Sequence, residues 1–164
     1  MALTRQTMTD EQRKSVALEY LKAFDNGGVT STGDSILELF APDAQVYFPK
    51  WGIANGREEI GKMFGEVGAT LKSIRHDYAN FNWIFSGSDV VVCEGTSYGE
   101  HQDGPWRAGV PEWGAGRWCD VFEIRDDLRE VIEGERLFFI ALGFRRIGMH
   151  LNEQGVRSCC YRSQ

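Results

Sequence analysis

The chain is poor in histidine and proline, with three and four among 164 residues, and it has no apolar run near the ~20 residues that span a membrane. The opening stretch MALTRQTMTDEQRK has no apolar core of the secretory kind, so a cytoplasmic protein is expected. Basic residues are outnumbered, 18 Lys and Arg against 24 Asp and Glu, for a net charge of −6. That balance argues against nucleic acid as a partner and against binding to an anionic membrane surface. No phosphate-cradling GxGxxG or P-loop is present, and Gly61, Gly65 and Gly68 fall within a helical pattern instead. There is no CxxC pair, no HExxH and no GxSxG elbow. No nucleotide cofactor and no metal are therefore expected. Of the cysteines, Cys93 and Cys119 read as small core residues, and the adjacent Cys159 and Cys160 cannot easily bond to each other, a pattern that suits a reducing compartment.

What the chain does have is aromatic bulk: ten Phe, five Trp and five Tyr. Such residues fill cores, and they also line pockets. The length fits one domain able to bury a core unaided. Thr9 with Gln12 forms a capping-box pattern before a helix whose apolar face carries Val16, Ala17, Tyr20, Leu21 and Phe24. Asp25-Asn26-Gly27-Gly28 stops it. Asp34 is placed to cap a short helix, SILELF. A strand over 44–48 follows, broken by Pro49-Lys50-Trp51-Gly52. The spacing predicts a third helix over 57–71. Strands are expected over 76–85, 90–100, 116–124 and 131–141, with a loop at 104–115. Helices first and antiparallel strands after imply an α+β fold, with helices on one side of a curved sheet. Residues 1–142 form the domain. Residues 143–164 form a basic tail, with Arg145, Arg146, Arg157 and Arg162 against Glu153 alone, expected to be loosely ordered or packed on an edge.

The order of short motifs, YLKAFDNGG, LFAPDAQVYF, GREEIGKMF, IRHDYANFNW and GRWCDVFEIRDDL, resembles the nuclear transport factor 2-like superfamily. It is closest to its branch of SnoaL-like polyketide cyclases, small dehydratases and ketosteroid isomerases. The resemblance covers residues 12–140. It implies a cone-shaped, strongly curved sheet under about three helices, a cystatin-like α+β roll. It leaves function open among isomerases, cyclases, dehydratases and binding domains.

Four residues stand out as candidate acid–base groups. His76 opens a strand, and imidazole is the side chain suited to moving protons near neutrality. HDYAN resembles the acid–base histidine strand of the dehydratase and dehydrochlorinase members, where an aspartate at the place of Asp25 holds the histidine. Asp25 reads equally as part of an ordinary helix stop, and His76 as a surface or structural histidine. Asp120 lies between Trp118 and Phe122 on one strand face. An apolar setting raises a carboxyl's pKa and makes it a proton donor. The resemblance matches it to the oxyanion-hole acid of the isomerases; the alternative is a structural Asp paired with Arg117 or Arg136. Tyr20 falls where those isomerases carry an oxyanion tyrosine, or it is simply an apolar-face helix residue. The position of the isomerase base holds Phe48 instead of a carboxylate, which counts against that mechanism.

Trp118, Phe122, Phe48, Trp51, Tyr98 and Trp83 are the candidate walls of a substrate pocket. Glu94 is either a second carboxylate in that pocket or a solvent-facing residue. Arg107 and Arg117 are basic candidates for an oxyanion. Phe81 and Trp83 share a face read as opposite to His76, and Tyr78, Asn80 and Asn82 are read on the side of His76. Which face looks inward is not fixed by the sequence, because a slip of one residue inverts all these assignments. Two functions follow as expectations. One is a cofactor-independent acid–base enzyme acting on an apolar oxygenated molecule of polyketide, steroid or terpenoid type. The other is a non-catalytic ligand-binding or dimerisation module. A homodimer is expected from the resemblance.

Overall fold

The computed structural model describes residues 8–102 and 116–125 fully, and the strand backbone at 104–105, 139–141, 149–151 and 157–159. Helix α1 (Asp10–Asp25) begins at the Thr9 capping box, where Thr9 Oγ1 accepts from the Gln12 amide and Gln12 accepts from the Thr9 amide. It ends because Gly27 and Gly28 take φ of 69° and 88°, which a side chain resists. That stop fixes Asp25 as the last helical residue. The predicted SILELF helix is a single 3₁₀ turn, Ile36–Leu39, capped by Ser35 and not by Asp34.

Strand β1 (Gln45–Phe48) pairs with β2 (Gly52–Asn55) in a hairpin. The sequence showed only a break and a turn where β2 stands, since four residues of GIAN carry little strand signal. Helix α2 (Gly56–Ala69) is shorter than expected, and Leu71 already belongs to β3 (Leu71–His76). The predicted strand over 76–85 is divided. After β3 a 3₁₀ turn, Tyr78–Asn80, intervenes before β4 (Asn82–Ser86).

The long strand β5 (Val90–His101) is the axis of the main sheet. On one side it pairs antiparallel with β4 and then β3. On the other it pairs with β7 (Gly116–Arg125), and at its end with β6 (Gly104–Pro105). The pairing of β7 with β8 (Phe139–Ala141) completes six strands. The loop expected at 104–115 thus begins with a short strand, and its remainder lies outside the described residues. So does most of the strand expected over 131–141. In the tail, β9 (Met149–Leu151) and β10 (Arg157–Cys159) pair antiparallel, where no strand was expected.

Period-two alternation then sorts the side chains. Val91, Cys93 and Ser97 of β5 are buried, as are Phe122 and Ile124 of β7. This inner face is covered by Ala17, Tyr20 and Leu21 of α1 and by Ile60, Met63 and Val67 of α2. No helix among the described residues is long and apolar enough to cross a membrane.

Candidate active site

His76 closes β3 on the inner face, opposite Ser97, and only 7% of it is exposed. The helix stop of α1 brings Asp25 against it. Asp25 Oδ1 lies 2.5 Å from His76 Nδ1, and Oδ2 accepts the His76 backbone amide at 2.9 Å. The same Oδ2 accepts the Tyr78 hydroxyl at 2.5 Å. Burial pulls the Asp25 carboxyl upward, but the bonds from His76 and Tyr78 outweigh it and hold the group below the usual carboxylate range. Tyr78 moves the other way: burial, then its bond to a carboxylate, keeps the phenol protonated far above neutrality.

Asp120 sits on the same inner face, paired across the sheet with Cys93, while Trp118 pairs with Gly95. The ring of Trp118 meets His76 edge-on, centroids 5.1 Å apart. Burial lifts the Asp120 carboxyl to about 6, against the opposing pull of His76. Arg117 is exposed on the outer face and so is not its partner, and Arg136 lies outside the described residues. Asp120 nevertheless keeps some accessible surface.

Tyr20 points into the aromatic interior. Phe24, Phe40, Phe64 and Phe122 lie with ring centroids 5.6–6.2 Å from its own. Burial, helped by the charge of Asp120, pushes its phenol well above the ordinary range. Its hydroxyl makes no hydrogen bond among the described residues.

The candidate pocket walls divide. Trp118, Phe122, Phe48 and Trp83 are inside; Phe48 packs on Phe64 at 6.1 Å, and Trp83 shares the inner row with Cys93. Trp51 flanks Phe48 at the hairpin, beneath Lys50. Tyr98 and Glu94 do not join them. Tyr98 is 44% exposed on the outer face, and Glu94, on the same face, accepts from Asn82 at 3.1 Å. Phe81 and Trp83 are not opposite His76 but beside it, with Phe81 6.4 Å from the imidazole and 5.1 Å from Trp118. The 3₁₀ turn is the reason: it resets the alternation between β3 and β4, so Asn82 goes outward. Arg107 lies outside the described residues, and His101 is exposed at the rim, 3.2 Å from the Thr70 carbonyl.

A hollow of about 430 Å³ opens between the end of α1, α2 and β3. Phe24, Ile36, Phe64, Leu71 and Ile74 give it an apolar lining, and Asp25 is in its wall. Two residues outside the candidate set matter here. Tyr78, expected on the side of His76, does lie by it, but on a turn and not on a strand: Asp77 and Asn80 around it are turn-forming types, and Asn80 bonds back to Asp77 at 2.8 Å. Gly95 leaves the room that the rings use. A Cβ there would stand 2.4 Å from Trp118 and 2.7 Å from Phe81.

A helix-covered curved sheet with an imidazole–carboxylate pair on its inner face defines a conical α+β domain of the nuclear transport factor 2-like class. Within it the chain belongs to the SnoaL-like domain family, whose model matches residues 17–129. Two solved structures share the fold. A candidate polyketide cyclase of Xanthomonas campestris pv. campestris is 14% identical with a TM-score of 0.54, over 80% of this chain and 86% of that one. Another, of Sinorhizobium meliloti, is 17% identical with a TM-score of 0.51, over 77% and 89%. No functionally curated protein matches the chain.

Proposed function

We propose that the protein is a cofactor-independent acid–base enzyme, a cyclase, isomerase or dehydratase. Its substrate would be an apolar, oxygenated small molecule of polyketide, steroid or terpenoid type. The observation that carries this is the 2.5 Å Asp25–His76 pair on the same inner face as Asp120, whose carboxyl titrates near 6. With Nδ1 committed to Asp25, His76 meets a substrate through Nε2. Nε2 takes a proton from carbon next to a carbonyl, and Asp25 stabilises the imidazolium that forms. Asp120, protonated part of the time at neutral pH, donates to the developing enolate oxygen, with the Tyr20 hydroxyl as a second donor. Return of the proton to another carbon gives isomerisation. Attack of the enolate on a second carbonyl closes a ring. Loss of a neighbouring hydroxyl, taking the proton from Asp120, gives dehydration. The apolar body of the ligand suits the hollow lined by Phe24, Ile36, Phe64, Leu71 and Ile74. The reading is of a cytoplasmic protein, a compartment in which a buried thiol such as that of Cys93 stays reduced.

The experiment is deuterium wash-in from D₂O at the carbon next to the carbonyl, followed by NMR over a panel of polycyclic ketones and hydroxyketones. Enzyme-accelerated exchange is expected, and His76→Ala and Asp120→Asn should each lose most of it while keeping the circular dichroism spectrum. No acceleration across the panel would sink the enzymatic reading. One observation favours a second reading, a non-catalytic ligand-binding module: the hollow is walled by Asp25 but not by His76 or Asp120. Saturable binding that His76→Ala leaves untouched, without wash-in, would decide for it.

A further inference from the structure

Asp25 is more heavily loaded than a two-membered pair requires. One of its oxygens takes the imidazole of His76, and the other takes both the His76 amide and the Tyr78 hydroxyl. A carboxylate held by donors on both oxygens cannot turn about its Cβ–Cγ bond without breaking one of them. Tyr78 is itself fixed. It opens the 3₁₀ turn, which is pinned by the Asp77 amide on the Thr96 carbonyl at 2.9 Å and by the Asn80 amide on the Asp77 carbonyl at 3.1 Å. Its ring tilts against Phe81 at 5.3 Å. We propose that Tyr78 is a positioning residue of the Asp25–His76 pair: its hydroxyl locks the carboxylate in the plane that keeps the proton of His76 on Nδ1 and leaves Nε2 for the substrate. Its catalytic consequence rests on the function proposed above.

The hydroxyl has a second effect with a definite sign. It shares the negative charge of Asp25, and so weakens the pull of that carboxylate on a proton at His76. Removing it leaves a barer carboxylate beside the imidazole, which favours the imidazolium. The other ionisable groups on the inner face are Tyr20 from α1, Cys93 from β5 and Asp120 from β7, while Lys72 of β3 is turned to Glu100 at 3.2 Å; the inner side of α2 presents only apolar side chains and glycine. Tyr78→Phe changes none of them.

The test is an NMR titration of the His76 imidazole in the full chain, assigned by the signals lost in His76→Asn. In Tyr78→Phe the His76 midpoint should move up by about half a unit or more, the size expected for one lost charge-assisted bond. The Nδ1–H population should fall. Asp25→Asn should move the midpoint down, and Tyr78→Phe should keep the circular dichroism spectrum of the wild type. With a wash-in substrate, kcat should fall about tenfold and KM hold, with the acid limb of the pH profile moving up in step. A wild-type midpoint and wild-type tautomer in Tyr78→Phe would overturn the proposal, whatever the turnover. A shifted midpoint in a protein that never accelerates wash-in would leave Tyr78 as the positioning residue and remove the enzymatic reading alone.

Discussion

Asp120 is the residue whose chemistry depends most on its surroundings. Its carboxyl is lifted from 3.8 to about 6 by burial. A group whose folded-state pKa is raised costs nothing below the unfolded value, and destabilises progressively as pH rises through the folded one. The full cost above pH 6 is roughly 3 kcal/mol, from the shift of about two units. Asp120→Asn removes the charge and keeps the shape. It should therefore melt higher than wild type at pH 7.5, and lose that advantage near pH 4. A melting-temperature difference of equal size at both pH values would show that Asp120 carries no raised pKa. Asp25 has the opposite sign: its depressed carboxyl contributes stability above about pH 4 that is lost as pH falls further. The two windows meet near the ordinary carboxyl pKa, so acid relieves one aspartate just before it disarms the other. Gly95 makes a purely steric counterpart. Gly95→Ala would put a methyl group 2.4 Å from Trp118 and 2.7 Å from Phe81 on the inner face. A loss of about 1–3 kcal/mol by urea denaturation is expected from such overpacking.

At the scale of elements, what the sequence made legible was the parts with strong local signals. The capping box and the double glycine fixed both ends of α1, and with them the position of Asp25. The β-branched run of β5 and the RWCDVFEI alternation of β7 marked both as strands, so Trp118, Asp120 and Phe122 were readable as one row, on a side of the sheet the alternation alone leaves open. The break between β3 and β4 was not. HDYANFNWIF alternates well enough to pass for one strand, and a three-residue turn inside it reverses the parity of everything after it. That single turn explains why Phe81 and Trp83 were read away from His76, and why Tyr78 was read without a partner. Tyr98 was misplaced and Glu94 left open for a related reason: polar and aromatic residues alternating on β5 say that two faces exist, but not which one the helices cover. Helix α2 offers a test at this scale. Gly65 lies inside the helix and in the wall of the hollow, and a Cβ built on it meets nothing within 4 Å. Alanine there should stabilise the fold by about 1 kcal/mol through helix propensity. Leucine there should keep the fold and obstruct the hollow, so that 2-naphthol, an apolar probe with one hydroxyl, binds wild type and the alanine variant at least tenfold more tightly by fluorescence titration. Equal binding by all three would show that ligands do not use this opening.

Among the described residues the helices cover one face of the main sheet, and no helix packs on the other. On that outer face the register lines up Ile84 of β4, Val92 of β5 and Val121 of β7 in one transverse row. Ile84 is 51% exposed, and Tyr98 further along β5 is 44% exposed. A two-fold axis along such a row would bury the apolar strip against its own copy, the self-complementary pattern an isologous interface requires. The chain is therefore expected to form a homodimer through this face. Light scattering at micromolar concentration should give twice the chain mass. Ile84→Lys, which places a charge in the middle of the strip, should give the monomer. The inner face, with His76 and Asp120, lies on the far side of the sheet, so the monomeric variant should keep the His76 titration of the wild type. A wild-type mass of one chain would refute the dimer, and a dimer unmoved by Ile84→Lys would place the contact elsewhere on the surface.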